Sequence, residues 1–186
     1  MPPASHLSSH PLPRSGLILT ELTATSPQVD VETARELLLS YGHFVATQSG
    51  VTSFCYGALE QEAASVPESY LNQQGGCMIA TIHEIPAGFV AWRTLPRPEL
   101  SDAWELKRLW ASPESRGSGI GRALLQAVID LAVAAAKSRI LLDSAPDTMG
   151  SAIRLYREFG FIECEPYNGR SPDGIIYMQK TLGTEQ

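Results

Sequence analysis

The chain has 186 residues, 44% of them hydrophobic, enough for one domain with a sizeable core. A formal net charge of -6 excludes the basic footprint of a general nucleic-acid binder. No apolar run reaches the about 18 residues that a membrane span needs, and the N-terminus lacks the long apolar centre of a secretory signal.

Residues 1–16, with Pro2, Pro3, Pro11, Pro13 and several serines, read as a mobile tail; His6 and His10 within it read as solvated. A single domain is expected over 17–183. LILTELT (17–23) predicts a first strand. Ser26 and Pro27 signal a helix start ahead of Glu32, Ala34 and Leu37–Leu39. A second helix is expected over 55–65, ending before Pro67. The period then changes: CMIATIH (77–83) and GFVAWRTL (88–95) predict strands around a turn at Glu84–Ala87. AWELKRLWA (103–111) is another strand. After a glycine-rich stretch, a helix is expected over 119–136, with Ile120, Leu124, Ala127, Val128, Leu131 and Ala135 at helical spacing. ILLD (140–143) predicts a short buried strand, and 148–159 a helix with Ala152, Leu155, Tyr156 and Phe159 on one face. FIECEPY (161–167) and IIYMQKTL (175–182) predict two closing strands joined by the turn-rich NGRSPDG. This order suggests an α/β mixed sheet with helices on its faces.

SRGSGIGRALL (115–125) carries the chemistry. A dinucleotide G-x-G-x-x-G beginning at Gly117 needs glycine where Arg122 stands, and no Gly-Lys pair completes a Walker loop. What remains is a bare backbone at a helix start, where free N–H groups and partial positive charge suit an anion. Gly121 in the first turn costs about 1 kcal/mol against alanine, and Arg122 opposes the helix dipole. A bound anion would offset both; an ordinary tight turn with solvated arginines is the alternative.

With its neighbours the stretch resembles the Gcn5-related N-acetyltransferase (GNAT) superfamily. The R/Q-x-x-G-x-G/A signature is met by Arg116, Gly119 and Gly121. A second, A-x-x-L-Y-x-x-x-G-F-like signature is met by Ala152, Leu155, Tyr156, Gly160 and Phe161. The resemblance implies a mostly antiparallel sheet of about seven strands with about four helices, and strands 4 and 5 splayed. It implies acetyl-CoA or a related acyl-CoA as cofactor. The pyrophosphate would lie on the backbone N–H groups of Gly117, Ser118, Gly119, Ile120, Gly121 and Arg122, beside Arg116. The pantetheine would pair with the backbone of Leu109 and Ala111, as an added strand does. Met149 departs from the pattern: many relatives place asparagine there, and methionine cannot make the same hydrogen bonds.

By the same resemblance Tyr156 is the candidate to hydrogen-bond to the departing thiolate; its helical face also suits a core aromatic. Glu105 is the candidate base, and because it shares a strand face with Lys107, a solvated or salt-bridged pair is the alternative. The Trp110 backbone N–H is the implied oxyanion donor. Trp92, Trp104 and Trp110 read first as core, second as an acceptor pocket. His83 reads as a solvated turn residue. Cys55, Cys77 and Cys164 lack metal spacing and read as reduced thiols in a cytoplasmic protein. The implied activity is direct acetyl transfer to a small-molecule or protein amine in a ternary complex. The rival is a noncatalytic acyl-CoA-binding or regulatory module. No nucleic-acid or membrane partner is implied, and a homodimer is left open.

Overall fold

A computed structural model describes residues 16–49, 54–169 and 173–183. His6, His10 and nearly all of the expected tail lie outside these residues. Twelve elements run β1 (Leu17–Leu22), α1 (Gln28–Ser49), α2 (Phe54–Ala64), α3 (Glu68–Leu71), β2 (Gly76–Ile82), β3 (Ile85–Thr94), β4 (Ala103–Ala111), α4 (Ile120–Ala134), β5 (Arg139–Ser144), α5 (Pro146–Glu158), β6 (Ile162–Cys164) and β7 (Ile176–Thr181). They form a seven-stranded sheet in the order β1-β2-β3-β4-β5-β7-β6. Every pair is antiparallel except β4–β5. The expected mixed sheet is therefore present, with five α-helices among the described residues where about four were expected.

Alternation along the strands builds a core on each face. Val90, Trp92, Leu106, Leu142 and Met178 pack against Leu124, Leu125 and Val128 of α4. Ile79, Phe89 and Ala91 point the other way, onto Leu38 of α1, Leu59 of α2 and Val66. Fully burying such side chains stabilises by about 1.5–3 kcal/mol each. Gly88 permits the close approach of α4 to β3: a Cβ there would lie 2.6 Å from Ile120 Cγ2 and 2.8 Å from the Trp110 carbonyl oxygen.

Several boundaries differ from expectation. The β2–β3 turn is only His83–Glu84, since Ile82 pairs with Ile85 and Pro86 is already in the strand. Both turn residues have positive φ, 49° and 67°. α5 begins at Pro146, whose missing N–H costs nothing at a helix start. Its first turn breaks at Met149 (φ -115°, ψ 27°). β6 is three residues long, not the seven of FIECEPY, because Glu165 and Pro166 leave the ladder and place Tyr167 against Tyr177. α5 ends on Gly160 (φ +82°), and the Phe161 N–H bonds the Tyr156 carbonyl at 3.0 Å. Phe161 then packs on the Tyr156 ring, the contact that usually seals such an end.

Candidate active site

β4 and β5 pair only over Ala103–Glu105 and Arg139–Leu141. Beyond them β4 runs on to Ala111 and β5 to Ser144 with no ladder between, so the sheet opens at a split. A cavity of about 1330 Å³ lies beside it. Leu109, Trp110 and Ala111 of β4 line one wall. The loop Arg116–Gly119 and the start of α4 line its end, and Met149, Ser151, Ala152 and Leu155 of α5 the far side.

The loop has the geometry of an anion cradle. Gly117 (φ +75°) and Gly119 (φ +86°) occupy the left-handed region, with open space where a Cβ would stand. Gly119 caps α4 without any side-chain hydrogen bond. Among the described residues no backbone acceptor engages the N–H groups of Gly119, Ile120 or Gly121. Ser118 is turned back, its hydroxyl donating to the Ser115 carbonyl. The two arginines are held at the rim. The Arg116 guanidinium lies 4.6 Å over the Phe44 ring and 5.1 Å over Trp110. Arg122 pairs with Glu158 and lies 5.1 Å over Phe159.

Tyr156 is buried and belongs to the core under α4; it is not among the cavity-lining residues. Burial, then the nearby Tyr41 hydroxyl and Asp143 carboxylate, push its phenol above the usual range. Tyr41 stands on α1 and Asp143 lies on the sheet face opposite α5.

On that face Glu105 is 1% exposed. It accepts hydrogen bonds from Arg93 Nε at 2.6 Å and the Tyr167 hydroxyl at 3.0 Å, with Lys107 Nζ 3.6 Å away. Lys107 also donates to Asp143 at 3.3 Å, bridging the two parting strands. Of the two readings of Glu105, the salt-bridged pair with Lys107 is present, with Glu105 buried and Lys107 half-buried. Beside it, Arg108 makes two bonds to Glu62, at 3.1 and 2.9 Å. Tyr70 donates to the same carboxylate. Burial raises the Glu62 carboxyl, but the Arg108 and Tyr70 bonds outweigh it and hold the group below the usual range. This cluster was absent from the sequence reading; Glu62 and Arg108 stand 46 residues apart, and no local spacing connects them.

The three tryptophans do not converge on one pocket. Trp92 and Trp104 stack at 5.7 Å in the core under α4, whereas Trp110 packs against Tyr41 and Phe44 of α1. His83 is exposed. Cys77 and Cys164 are free thiols.

Comparison with known proteins places this arrangement. An uncharacterised N-acetyltransferase of Schizosaccharomyces pombe is 39% identical over 75 residues, 40% of this chain and 45% of that protein. An IAA acetyltransferase of Azospirillum brasilense is 38% identical over 79 residues, 42% of this chain and 51% of its own. The matches thus span about half the length of these curated relatives. In fold, the PaiA N-acetyltransferase of Thermoplasma acidophilum, solved in complex with coenzyme A, superposes with a TM-score of 0.69 at 16% identity, covering 89% of this chain and 99% of that one. The family model described as "Acetyltransferase (GNAT) family" matches residues 44–161, from the last turns of α1 through the loop to the end of α5. That is more than half of the sequence, and the chain belongs to the GNAT acetyltransferase family.

Proposed function

We propose that the chain is an N-acetyltransferase that moves an acetyl group from acetyl-CoA to a primary amine by direct transfer in a ternary complex. The observation that carries this reading is the bare, uncapped turn at Gly117–Gly121 opening onto a split sheet. The free N–H groups of Gly119, Ile120 and Gly121 and the helix-end charge fit a diphosphate, and the absent Cβ atoms leave room for it; the Ser118 N–H, expected among these contacts, instead bonds the Ser115 carbonyl at 3.2 Å. Arg116, seated over Phe44 and Trp110 at the rim, adds the charge. The backbone of Leu109–Ala111 then offers an unpaired strand edge to amide groups of the cofactor arm. When bound, acetyl-CoA supplies the thioester whose acyl carbon takes the amine nitrogen as its C–S bond breaks.

The chain's own residues do the rest. By the alternation of the β3–β4 ladder the Trp110 N–H turns toward β3, not the split, so the Leu109 and Ala111 N–H groups are the ones that meet charge developing on the acyl oxygen. Tyr156, kept neutral by its surroundings, donates a hydrogen bond to the departing sulfur. Glu105 already accepts two hydrogen bonds and faces a second cation, so we assign it to holding Tyr167, Arg93 and Lys107 around the amine's approach. The amine's surplus proton passes to solvent through the exposed side of the split.

Two observations favour a second reading, an acyl-CoA-binding module without turnover. Met149 lines the cavity where a hydrogen-bonding side chain would serve better, and Tyr156 sits behind the wall. Incubating the protein with acetyl-CoA and a panel of amines while following free thiol separates the two. Amine-dependent thiol release is the expected result; CoA-induced thermal stabilisation without release from any amine would select the binding module.

A further inference from the structure

The pairing of β3 with β4 slips by one residue. Ala91 faces Lys107 and Phe89 faces Trp110, so two steps on β3 match three on β4. The extra residue forms a bulge, and within it Arg108 has φ +59°. Such a bulge position is ordinarily glycine's, because a Cβ is strained there. The bulge also reverses which side chains face α1. Lys107 points to that face before it, and Trp110 reaches Tyr41 and Phe44 on the same face after it. The unpaired peptide edge of Leu109 and Ala111, residues that line the cavity, is therefore aimed by this one irregular residue.

A strained non-glycine conformation persists where its surroundings over-determine it. Here they do. Arg108 is held by two bonds to Glu62 of α2, with the Tyr41 ring 5.6 Å from its guanidinium carbon. Tyr70, just past α2 on α3, fixes the same carboxylate from the other side. The clamp thus spans three helices and the strand, and it lies outside the residues that line the cavity.

We propose that the Glu62–Arg108 pair, fixed by Tyr70, is a positioning device that holds Arg108 left-handed and so aims the β4 backbone N–H groups at the acyl carbonyl oxygen. The inference rests on the acetyl-transfer reading above. Glu62 and Arg108 act through the backbone, and neither touches the acyl group.

A genetic rescue tests it, because glycine takes the left-handed conformation without a clamp. The first readout is the carbonyl stretch of bound [1-13C]acetyl-CoA by isotope-edited infrared spectroscopy, which needs no acceptor. In the wild-type protein the stretch moves to lower frequency than in free acetyl-CoA. In Glu62→Gln it returns toward the free value, and kcat falls about tenfold or more with little change in KM for acetyl-CoA, since loss of an oxyanion donor costs 10²–10³ in full. Adding Arg108→Gly to Glu62→Gln restores both the shift and most of kcat. If Glu62→Gln does not fold, Tyr70→Phe with and without Arg108→Gly gives the same comparison. A wild-type stretch in the clamp variant, or a folded double variant as impaired as the single one, overturns the proposal. A wild-type protein that binds no acetyl-CoA overturns instead the acetyl-transfer reading beneath it.

Discussion

Gly121 lies in the first turn of α4 with ordinary space around it: a Cβ would meet only Leu155 Cδ2, at 3.5 Å. Nothing in the fold requires glycine there. Gly121→Ala is therefore expected to gain up to about 1 kcal/mol and raise Tm by about 2–4 °C. The same variant should weaken CoA binding, because the methyl group stands where the anion approaches; thermal shift and calorimetry read the two effects. Tyr156 and Glu105 separate in the same way. Tyr156→Phe is expected to lower kcat at least tenfold while the Kd for CoA stays within about threefold, because the phenol meets the sulfur rather than the nucleotide. Equal turnover would return Tyr156 to its core role beside Phe161. Glu105→Gln should lose about 3 kcal/mol in urea unfolding, since it leaves Arg93 without its carboxylate, while Lys107 keeps Asp143. A fully stable Glu105→Gln with abolished turnover would instead mark Glu105 as the base. The left-handed turn at Gly117 and Gly119 and the core-facing side of Tyr156 were legible in the sequence because they are local: a glycine at a helix start, a helix face. Glu62 was not, since its value depends on an arginine in another element and on a left-handed φ that leaves no trace in residue type.

At the level of elements, the strands and helices follow from hydrophobic period, and their irregularities do not. The bulge in β4, the break at Met149 and the early end of β6 are each settled by contacts across the sheet. The hairpin joining β2 to β3 shows the same limit. His83 and Glu84 fill a two-residue turn whose φ values are both positive, a conformation that asparagine and glycine adopt more readily. The double substitution His83→Asn, Glu84→Gly should stabilise by about 1 kcal/mol and raise Tm by about 2–4 °C without altering acetyl-CoA affinity, since the hairpin tip is not among the cavity-lining residues. An unchanged or lower Tm would mean that the turn's present residues carry contacts of their own.

For the molecule as a whole, the sheet carries a core on each face and a smaller apolar group of Leu95, Leu100, Ala103 and Leu141, and charged groups cluster where it splits. The Glu62 carboxyl, held below its ordinary value of 4.5, ties one of these clusters to global stability. Its charged form is favoured by folding, so its contribution is complete above that value and disappears as pH falls through the lower folded one. Urea midpoints should drop below pH 4.5 in the wild-type protein, and the gap between wild type and Glu62→Gln should narrow over the same range. A gap independent of pH would show that the carboxylate's charge adds nothing to its shape.

The stacking of Arg116 on Phe44 and Trp110 makes the protein its own optical indicator. Drawing the guanidinium toward a diphosphate removes a positive charge from above one indole, while Trp92 and Trp104, beneath α4, keep their surroundings. Ligand arrival at the turn should therefore be visible as a change in intrinsic fluorescence that vanishes in Trp110→Phe, giving a titration signal that needs neither turnover nor a label.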